Sequence, residues 1–232
     1  MQVTIINGQN HKGSTYHIGR LLAEKVASPE QITEFFLPRD MPHFCTGCNQ
    51  CFLKSETACP HYEALSPLTK AMDDADLIIL TSPVYVFHAT GSMKAFLDHY
   101  GYRWMVHRPN KEMFRKQAVV ISTAAGGGMK YTCKDMAHSC FSWGIPKIYR
   151  FGSAVRATNW DSVSVGKKIK IDRKMTQIAR RIQQNTGHVS VPVKTKGFFH
   201  IVRILQKKVM ENPADKAYWE ANGWDGKSRP WK

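Results

Sequence analysis

The sequence predicts a doubly wound α/β domain in which helices cover both faces of a five-stranded parallel sheet. Short apolar runs alternate with helix-period segments through residues 1–155. Two of these runs, Leu77–Leu80 and Ala118–Ile121, are apolar enough to be buried on both faces, as strands of a parallel sheet are. The five predicted strands are roughly 2–7, 31–37, 76–82, 117–123 and 147–153.

The segments between the strands have the periodicity of helices. In the first, apolar and amphipathic residues recur at helical spacing: Ile18, Leu21, Leu22, Lys25 and Val26. Ser14 or Thr15 is a suitable N-cap for this helix. Further helices are predicted near 62–74, 91–101 and 129–142. Five strands with four crossovers favour the strand order 2-1-3-4-5, in which ligands bind at the carboxyl ends of the strands.

The net charge of +15 is concentrated in the last third of the chain. Residues 1–146 carry 14 Lys/Arg and 12 Asp/Glu, whereas residues 147–232 carry 19 and 6. We therefore predict a basic helical C-terminal extension over 156–232, with a helix near 166–186 and a linker at 189–196. Such charge suits a solvated face or an acidic partner. No nucleic acid is expected, since no recognised nucleic-acid-binding motif accompanies the charge.

The end of the extension is apolar enough to pack against other structure. Phe198, Ile201, Val202 and Leu205 share one predicted helix face, which favours docking on the domain or a partner subunit over binding to a membrane surface. Three tryptophans lie in the last fourteen residues: Trp219, Trp224 and Trp231. So much aromatic area predicts a packed C-terminus.

A cysteine-rich loop, residues 41–60, follows the second predicted strand. It contains Cys45, Cys48, Cys51 and Cys59, and the C-x2-C-x2-C spacing lets three thiolates converge on one metal centre. The chain shows no signal peptide and no apolar run of membrane-spanning length, so we expect a reducing, cytoplasmic setting. There, clustered cysteines serve as metal ligands or redox groups rather than disulfides. An iron-sulfur cluster, zinc, and redox-active or unoccupied thiols all remain open.

Three loops after strands 1, 3 and 4 supply the candidate cofactor-binding residues. In the first, Gly8-x4-Gly13 resembles a Walker A motif, but Ser14 stands where the lysine should be. A hydroxyl-rich loop at a helix N-terminus remains, which suits one terminal phosphate such as that of FMN. The candidates are Gln9, Asn10, His11, Gly13, Ser14, Thr15, Pro83, Val84, Tyr85, Val86, Phe87, His88, Thr123, Ala124, Ala125, Gly126, Gly127 and Gly128.

The second and third loops suit a flat ring. Pro83-Val84-Tyr85 is a rigid turn with an aromatic side chain, and Gly126-Gly127-Gly128 allows close backbone approach. These two loops, the first loop, and Met93–Asp98 together resemble the NADPH-dependent FMN reductase family of flavodoxin-like proteins. Within that family, the cysteine cluster resembles the iron-sulfur flavoproteins.

The resemblance covers roughly residues 1–155. It implies FMN with its phosphate at residues 9–15 and its ring between 83–88 and 123–128, a [4Fe-4S] cluster as one alternative for the cysteines, and a homo-oligomer. The chain has Gln9-Asn10-His11 where the family usually has Ser-Pro-Arg, so His11 or Lys12 would replace the arginine.

The sequence therefore predicts an FMN-dependent NAD(P)H oxidoreductase that needs no catalytic acid or base. A reduced nicotinamide would deliver a hydride to FMN, and electrons would pass to a small-molecule or protein acceptor, or singly through the cluster. The alternative is a non-enzymatic flavin or iron-sulfur electron carrier or redox sensor that docks a protein partner through its basic tail. A nucleic-acid-binding zinc knuckle lacks the usual ligand spacing. The segment 100–108 suits either a substrate pocket or a subunit interface.

Overall fold

In the computed structural model, which describes residues 1–232, five parallel strands form one sheet in the order β2-β1-β3-β4-β5. The strands are β1 (Val3–Asn7), β2 (Ile32–Phe36), β3 (Leu77–Thr81), β4 (Gln117–Ala124) and β5 (Lys147–Ala154). The predicted flavodoxin-like order is confirmed. Because Asn7 pairs with Thr81 and Thr81 with Ile121, the carboxyl ends of the central strands reach the same edge of the sheet.

Burial along the strands follows their position in the sheet. Every residue of β1 and β3 is buried, as is every residue of β4 before Ala124, whereas the outer strands β2 and β5 are only partly buried. The three central strands are the apolar runs of the sequence, which explains why they could be located from composition alone.

The α-helices are α1 (Ser14–Glu24), α2 (Gln50–Leu53), α3 (Tyr62–Asp74), α4 (Gly91–Asp98), α5 (Met129–Ser142), α6 (Val165–Asn185), α7 (Val193–Lys208) and α8 (Pro213–Ala221). The predicted helix 91–101 is too long, because α4 ends at Asp98 and a 3-10 turn follows at Gly101–Arg103. The ring of Phe52 packs on Gly101, where a Cβ atom would lie 3.1 Å from Phe52 Cζ. None of the helices has the length and apolar character that crossing a bilayer requires.

Two hydrophobic layers enclose the sheet. On one face, α3, α4 and α5 contribute residues such as Leu68, Phe96 and Cys140 to a buried cluster. On the other face, α6 packs beside α1, with Met175 and Ile178 in the same cluster as the β-strand residues. The basic helix α6 therefore completes the second layer, and its cations project from the outer side.

A third hydrophobic cluster joins the tail to the segment before β4. Phe199 of α7 stacks on Trp219 of α8 with 5.0 Å between ring centroids, and Trp224 closes the cluster. Trp219 Nε1 donates to the carbonyl of His107 at 2.6 Å. The predicted docking face of α7 is correct in part: Val202 is buried and Phe198 packs against the cluster, whereas Ile201 and Leu205 are exposed. The other buried residues of α7 are Thr195, Phe199 and Gln206.

Candidate functional site

The loops after β1, β3 and β4 are tied to one another at the carboxyl edge of the sheet. Gly8 N donates to the carbonyl of Thr81 at 2.7 Å, and Val84 N donates to the carbonyl of Thr123 at 2.9 Å. A Cβ atom on Gly8 would lie 2.8 Å from the Thr81 oxygen, so this close approach requires glycine. The loops thus share one backbone framework.

A buried polar network fixes the bases of the loops. Thr81 Oγ1 donates to Asn7 Oδ1 at 2.9 Å. Thr90 donates from its hydroxyl to the carbonyl of Gly8, and its Oγ1 also accepts from Met93 N at 3.1 Å as the N-cap of α4. Because these groups are satisfied internally, they hold the loop positions rather than face a ligand.

The first loop ends at an uncapped helix N-terminus. Gly13, rather than Ser14 or Thr15, occupies the N-cap of α1, and it carries no side-chain cap. The predicted N-cap is therefore wrong by one or two residues, because the extended backbone ends at Gly13 and Ser14 is already helical. Neither the Ser14 hydroxyl nor the Thr15 hydroxyl caps the helix. The positive end of the helix dipole is therefore available to an anion.

A groove of about 190 Å³ lies between the loops. Its lining includes eleven of the predicted residues: Gln9, His11, Gly13, Ser14, Thr15, Pro83, Val84, Tyr85, Thr123, Ala124 and Ala125. It also includes Val155, Ala157 and Thr158, which the sequence reasoning missed. The signal for them was the fifth strand itself, since β5 pairs with β4 up to Ala154 and Val155 N donates to the carbonyl of Ala124 at 2.8 Å.

The remaining predicted residues lie outside the groove lining: Asn10, Val86, Phe87, His88, Gly126, Gly127 and Gly128. Val86 and Phe87 adopt left-handed backbone conformations, with φ of 48° and 65°, at the exposed tip of the turn. Such conformations are costly for side chains of this kind and mark a constrained turn. Gly128 has φ of 94°, and Val84 and Phe87 pack on its backbone.

Polar contacts cross the mouth of the groove. The hydroxyl of Tyr85 donates to Gln9 Oε1 at 3.2 Å, and Gln9 Nε2 lies 3.0 Å from His11 Nε2. These side-chain contacts link the first loop to the turn at 83–88. His88 Nδ1, farther along the turn, lies 3.0 Å from Asp135 Oδ2. The side chains of Gln9 and His11 both line the groove.

The four cysteines of the 41–60 loop surround a second, smaller cavity of about 30 Å³. Gly47 and Asn49 have left-handed backbone conformations, with φ of 66° and 58°, on either side of Cys48. These two reversals bring Cys45, Cys48 and Cys51 back to the cavity that Cys59 also lines. The cavity has no lining residue in common with the groove between the three loops, because it lies against the end of α4.

Deprotonating several of these thiols together is unfavourable, because neighbouring thiolates repel one another and burial disfavours the charged form. Burial raises the pKa of Cys51, and the neighbouring cysteines add to the rise. Burial likewise raises the pKa of Cys59. A centre that binds thiolates would offset this repulsion, and all four cysteines line the cavity. No three of their sulfurs lie within 4.8 Å of one another, so they suit a cluster of several metal ions better than a single ion.

Two histidines complete the second cavity, and the sequence reasoning missed both. Ligand atoms of Cys59, His61 and His99 lie within 4.8 Å of one another. Burial lowers the pKa of His61 and of His99, which favours their neutral forms. His99 Nδ1 must donate to the carbonyl of Ala95 at 2.7 Å, so its Nε2 accepts from His61 Nδ1 at 3.0 Å.

The Cys59-x-His61 spacing was the available signal for the first of these histidines. His99 lies 38 residues beyond His61, and only the fold brings it to the site.

The back of the cysteine loop is held by residues far away in sequence. Arg108 donates to the carbonyl of Cys51 and, at 3.1 Å, to the carbonyl of Phe52. Asn212 of the tail also donates to the carbonyl of Phe52 at 3.1 Å. Asp215, which is fully buried, accepts from Arg108 at 2.6 Å. This set of contacts fixes α2, which carries Cys51, to the C-terminal extension.

The sheet order, the three joined loops and the uncapped helix N-terminus define a flavodoxin-like flavoprotein. More specifically, residues 1–152 match the NADPH-dependent FMN reductase family, and the chain belongs to that family. The family's description names FMN as its flavin.

Two similar proteins are named iron-sulfur flavoproteins. An iron-sulfur flavoprotein from Methanocaldococcus jannaschii is 30% identical over 214 residues, covering 89% of this chain and all of the relative. Another, from Archaeoglobus fulgidus, is 38% identical over 117 residues, which is 49% of this chain and 50% of the relative. The chain thus spans about half the length of the Archaeoglobus protein in that match.

Solved structures share the fold at low identity. A flavone reductase matches with a TM-score of 0.56 and 16% identity, covering 83% of this chain and 66% of the other. An FMN-dependent NADH-azoreductase from Bacillus anthracis, in complex with FMN, matches with a TM-score of 0.54 and 12% identity, covering 77% of this chain and all of the other. At these identities the similarity establishes the fold.

Proposed function

We propose that this protein is an FMN-dependent NAD(P)H oxidoreductase that passes electrons on to a small-molecule or protein acceptor. The observation that carries the proposal is the groove between the three joined loops, which ends at the uncapped N-terminus of α1. Its residues fit FMN: the first turn of α1 offers unpaired amides and two hydroxyls to a phosphate. Bound FMN would supply the redox chemistry, accepting a hydride from reduced nicotinamide.

The chain's own residues bind and orient the flavin in this proposal. Ser14 and Thr15 would hold the phosphate, and His11, which lines the groove and lies 3.0 Å from Gln9 Nε2, would take the place of the arginine that the resemblance leads us to expect. Pro83, Val84 and Tyr85 would border the ring on one side, and residues 123–128 on the other. No side chain is assigned as a catalytic acid or base. Hydride transfer to a bound flavin requires only that the ring be held in place and that the donor can reach one of its faces.

A binding experiment with matched variants tests the flavin site. FMN fluorescence should be quenched on titration with the protein, and Ser14→Ala should raise the Kd about tenfold or more, because a hydrogen bond to a charged group contributes about 1.5–3 kcal/mol. Ser164→Ala, at the exposed N-cap of α6, is the control and should leave the Kd unchanged. Protein that binds no FMN, or equal effects of the two variants, would contradict the proposal.

We further propose that Cys45, Cys48, Cys51 and Cys59 bind a [4Fe-4S] cluster through which electrons can leave singly. The supporting observations are the convergence of four thiols on one cavity and the names of the two relatives. Protein purified without oxygen should contain iron and acid-labile sulfide in equal amounts, and Cys51→Ser should lose both. Zinc without sulfide would instead favour a tetrahedral zinc site, to which His61 or His99 could contribute.

The alternative function, an electron carrier or redox sensor, is favoured by the exposed basic face of α6, which includes Lys170, Arg173 and Arg180. Such a face would attract an acidic protein partner. Steady-state oxidation of NADH or NADPH with a small acceptor separates the two functions. Sustained turnover supports the enzyme, and reduction that stops after one equivalent supports the carrier.

The homo-oligomer and the cytoplasmic location remain predictions. The exposed side chains of Val86, Phe87 and Tyr131 lie beside the flavin-type groove and support an oligomer, since an apolar patch at this position is suited to a subunit contact. Sedimentation of the FMN-loaded protein should give a mass at least twice that of the 26.4 kDa chain.

A further inference from the structure

A third cavity, of about 560 Å³, lies between the domain and its C-terminal extension. Four separate parts of the chain line it: residues 54–56 after α2, Thr69 and Asp73 of α3, residues 102–111, and residues 214–222 of the tail. It shares no lining residue with the flavin-type groove or the cysteine cavity. Because the tail forms one wall, this cavity exists only when the extension is packed in place.

The cavity has an excess of positive charge. Its lining contains the cations Lys54, Arg103, Arg108 and Lys111 and the acids Glu56 and Asp73. Asp215, outside the lining, pairs with Arg108 at 2.6 Å, which leaves an excess of one positive charge. Tyr218 also lines it, and burial raises the pKa of that phenol to about 12, so the ring adds no negative charge at neutral pH. Cations around a cavity create a positive potential that attracts anions into it.

Arg103 is a buried cation with only part of its guanidinium hydrogen-bonded. Its side chain is only 6% exposed, and its Nη2 donates to Asp73 at 2.6 Å. Its Nη1 is buried and has no hydrogen-bond partner in the protein. An unpaired buried guanidinium nitrogen is costly, and the guanidinium fork matches the geometry of carboxylate and phosphate groups.

We propose that this cavity binds a small polyanion, a molecule that carries phosphate or carboxylate groups. Lys54 and Lys111 are exposed at the cavity and would attract and bind the ligand, and Arg103 adds its charge from the cavity wall. The bound ligand would adjoin the cysteine loop, because Lys54 directly follows α2 and Arg108 holds the carbonyls of Cys51 and Phe52. The site is therefore suited to a substrate or effector whose binding is coupled to that loop.

Calorimetry on the whole protein tests this site separately from the flavin site. The protein is first saturated with FMN, so that the phosphate-binding loop is occupied, and is then titrated with pyrophosphate or with citrate. We expect saturable binding of at least one probe with one site per chain. Lys54→Gln/Lys111→Gln should weaken it about tenfold or more, since two charge-assisted contacts are lost. Binding of pyrophosphate alone identifies a phosphate ligand, and of citrate alone a carboxylate.

The control is Lys170→Gln/Lys174→Gln on the exposed face of α6, which removes the same charge at a distance from the cavity. It should leave the affinity within about twofold, because exposed distant charges are screened by salt. Arg103→Lys keeps the charge but loses the planar fork, and it should also weaken binding. Thermal unfolding verifies that each variant is folded. The proposal is overturned if neither probe binds saturably, or if the two double variants weaken binding equally.

Discussion

Replacing Gly128 by alanine tests whether the glycine loop and the 83–88 turn require close backbone contact. The new Cβ would lie 2.6 Å from Val84 Cγ1 and 3.2 Å from Phe87 Cδ1, at a residue whose φ is 94°. The left-handed conformation costs an alanine roughly 1–2 kcal/mol. Displacing the packed turn adds roughly 1–3 kcal/mol, as overpacking does. We therefore expect a loss of about 3 kcal/mol, or about 6–12 °C in Tm for a chain of this size.

The matched control is Gly126→Ala in the same loop. A Cβ on Gly126 would have no neighbour within 4 Å. Its Tm should stay the same or rise slightly, since alanine restricts the unfolded chain. Calorimetry measures both Tm values, and fluorescence titration should show that only Gly128→Ala weakens FMN binding, because only it displaces Val84. Equal Tm and equal FMN affinity in the two variants would refute this reasoning.

Two further predictions concern buried groups away from the groove. Asp215→Asn should lower the free energy of unfolding in urea by about 3 kcal/mol, since it leaves Arg108 without its buried partner. Asp172→Asn, which breaks a partly exposed pair with Lys25, should cost less than about 1 kcal/mol; equal losses would contradict the assigned burial. Burial raises the pKa of Cys140 to about 12, so this thiol's contribution to stability is complete below its ordinary pKa near 9 and is lost as the pH rises toward 12. Cys140→Ala should therefore show a shallower fall in urea midpoint between about pH 9 and 11, and an unchanged slope would contradict this assignment.

The parts of the fold that the sequence predicts are those that the hydrophobic pattern of a short segment determines. Leu77–Leu80 and Ala118–Ile121 could only be buried strands, and their parallel order followed from the helices between them. The strand order then predicts that the loops at their carboxyl ends lie together. Local pattern was less reliable at helix ends, where Gly13 rather than Ser14 forms the cap and where Phe52, from another part of the chain, packs at Gly101.

The parts that could not be predicted depend on contacts between distant residues. His99 joins His61 only because α4 ends beside the start of α3. The cavity between domain and tail depends on the pairing of Arg108 with Asp215, which are 107 residues apart. Sequence charge did show that the tail is basic, but it could not show that Asp215, one of the few acids there, is buried against an arginine of the domain.

The anchoring of the cysteine loop by Arg108 and Asn212 has a consequence for how such loops diverge. The cysteine spacing is a local property, but the carbonyls of Cys51 and Phe52 are held by donors 57 and 160 residues farther along the chain. A homologous chain could keep all four cysteines and still lose the geometry of the centre if its C-terminus were shortened or replaced. Removal of residues 209–232, or a bulky fusion that displaces α8, should therefore alter the metal content of a protein whose cysteines are untouched.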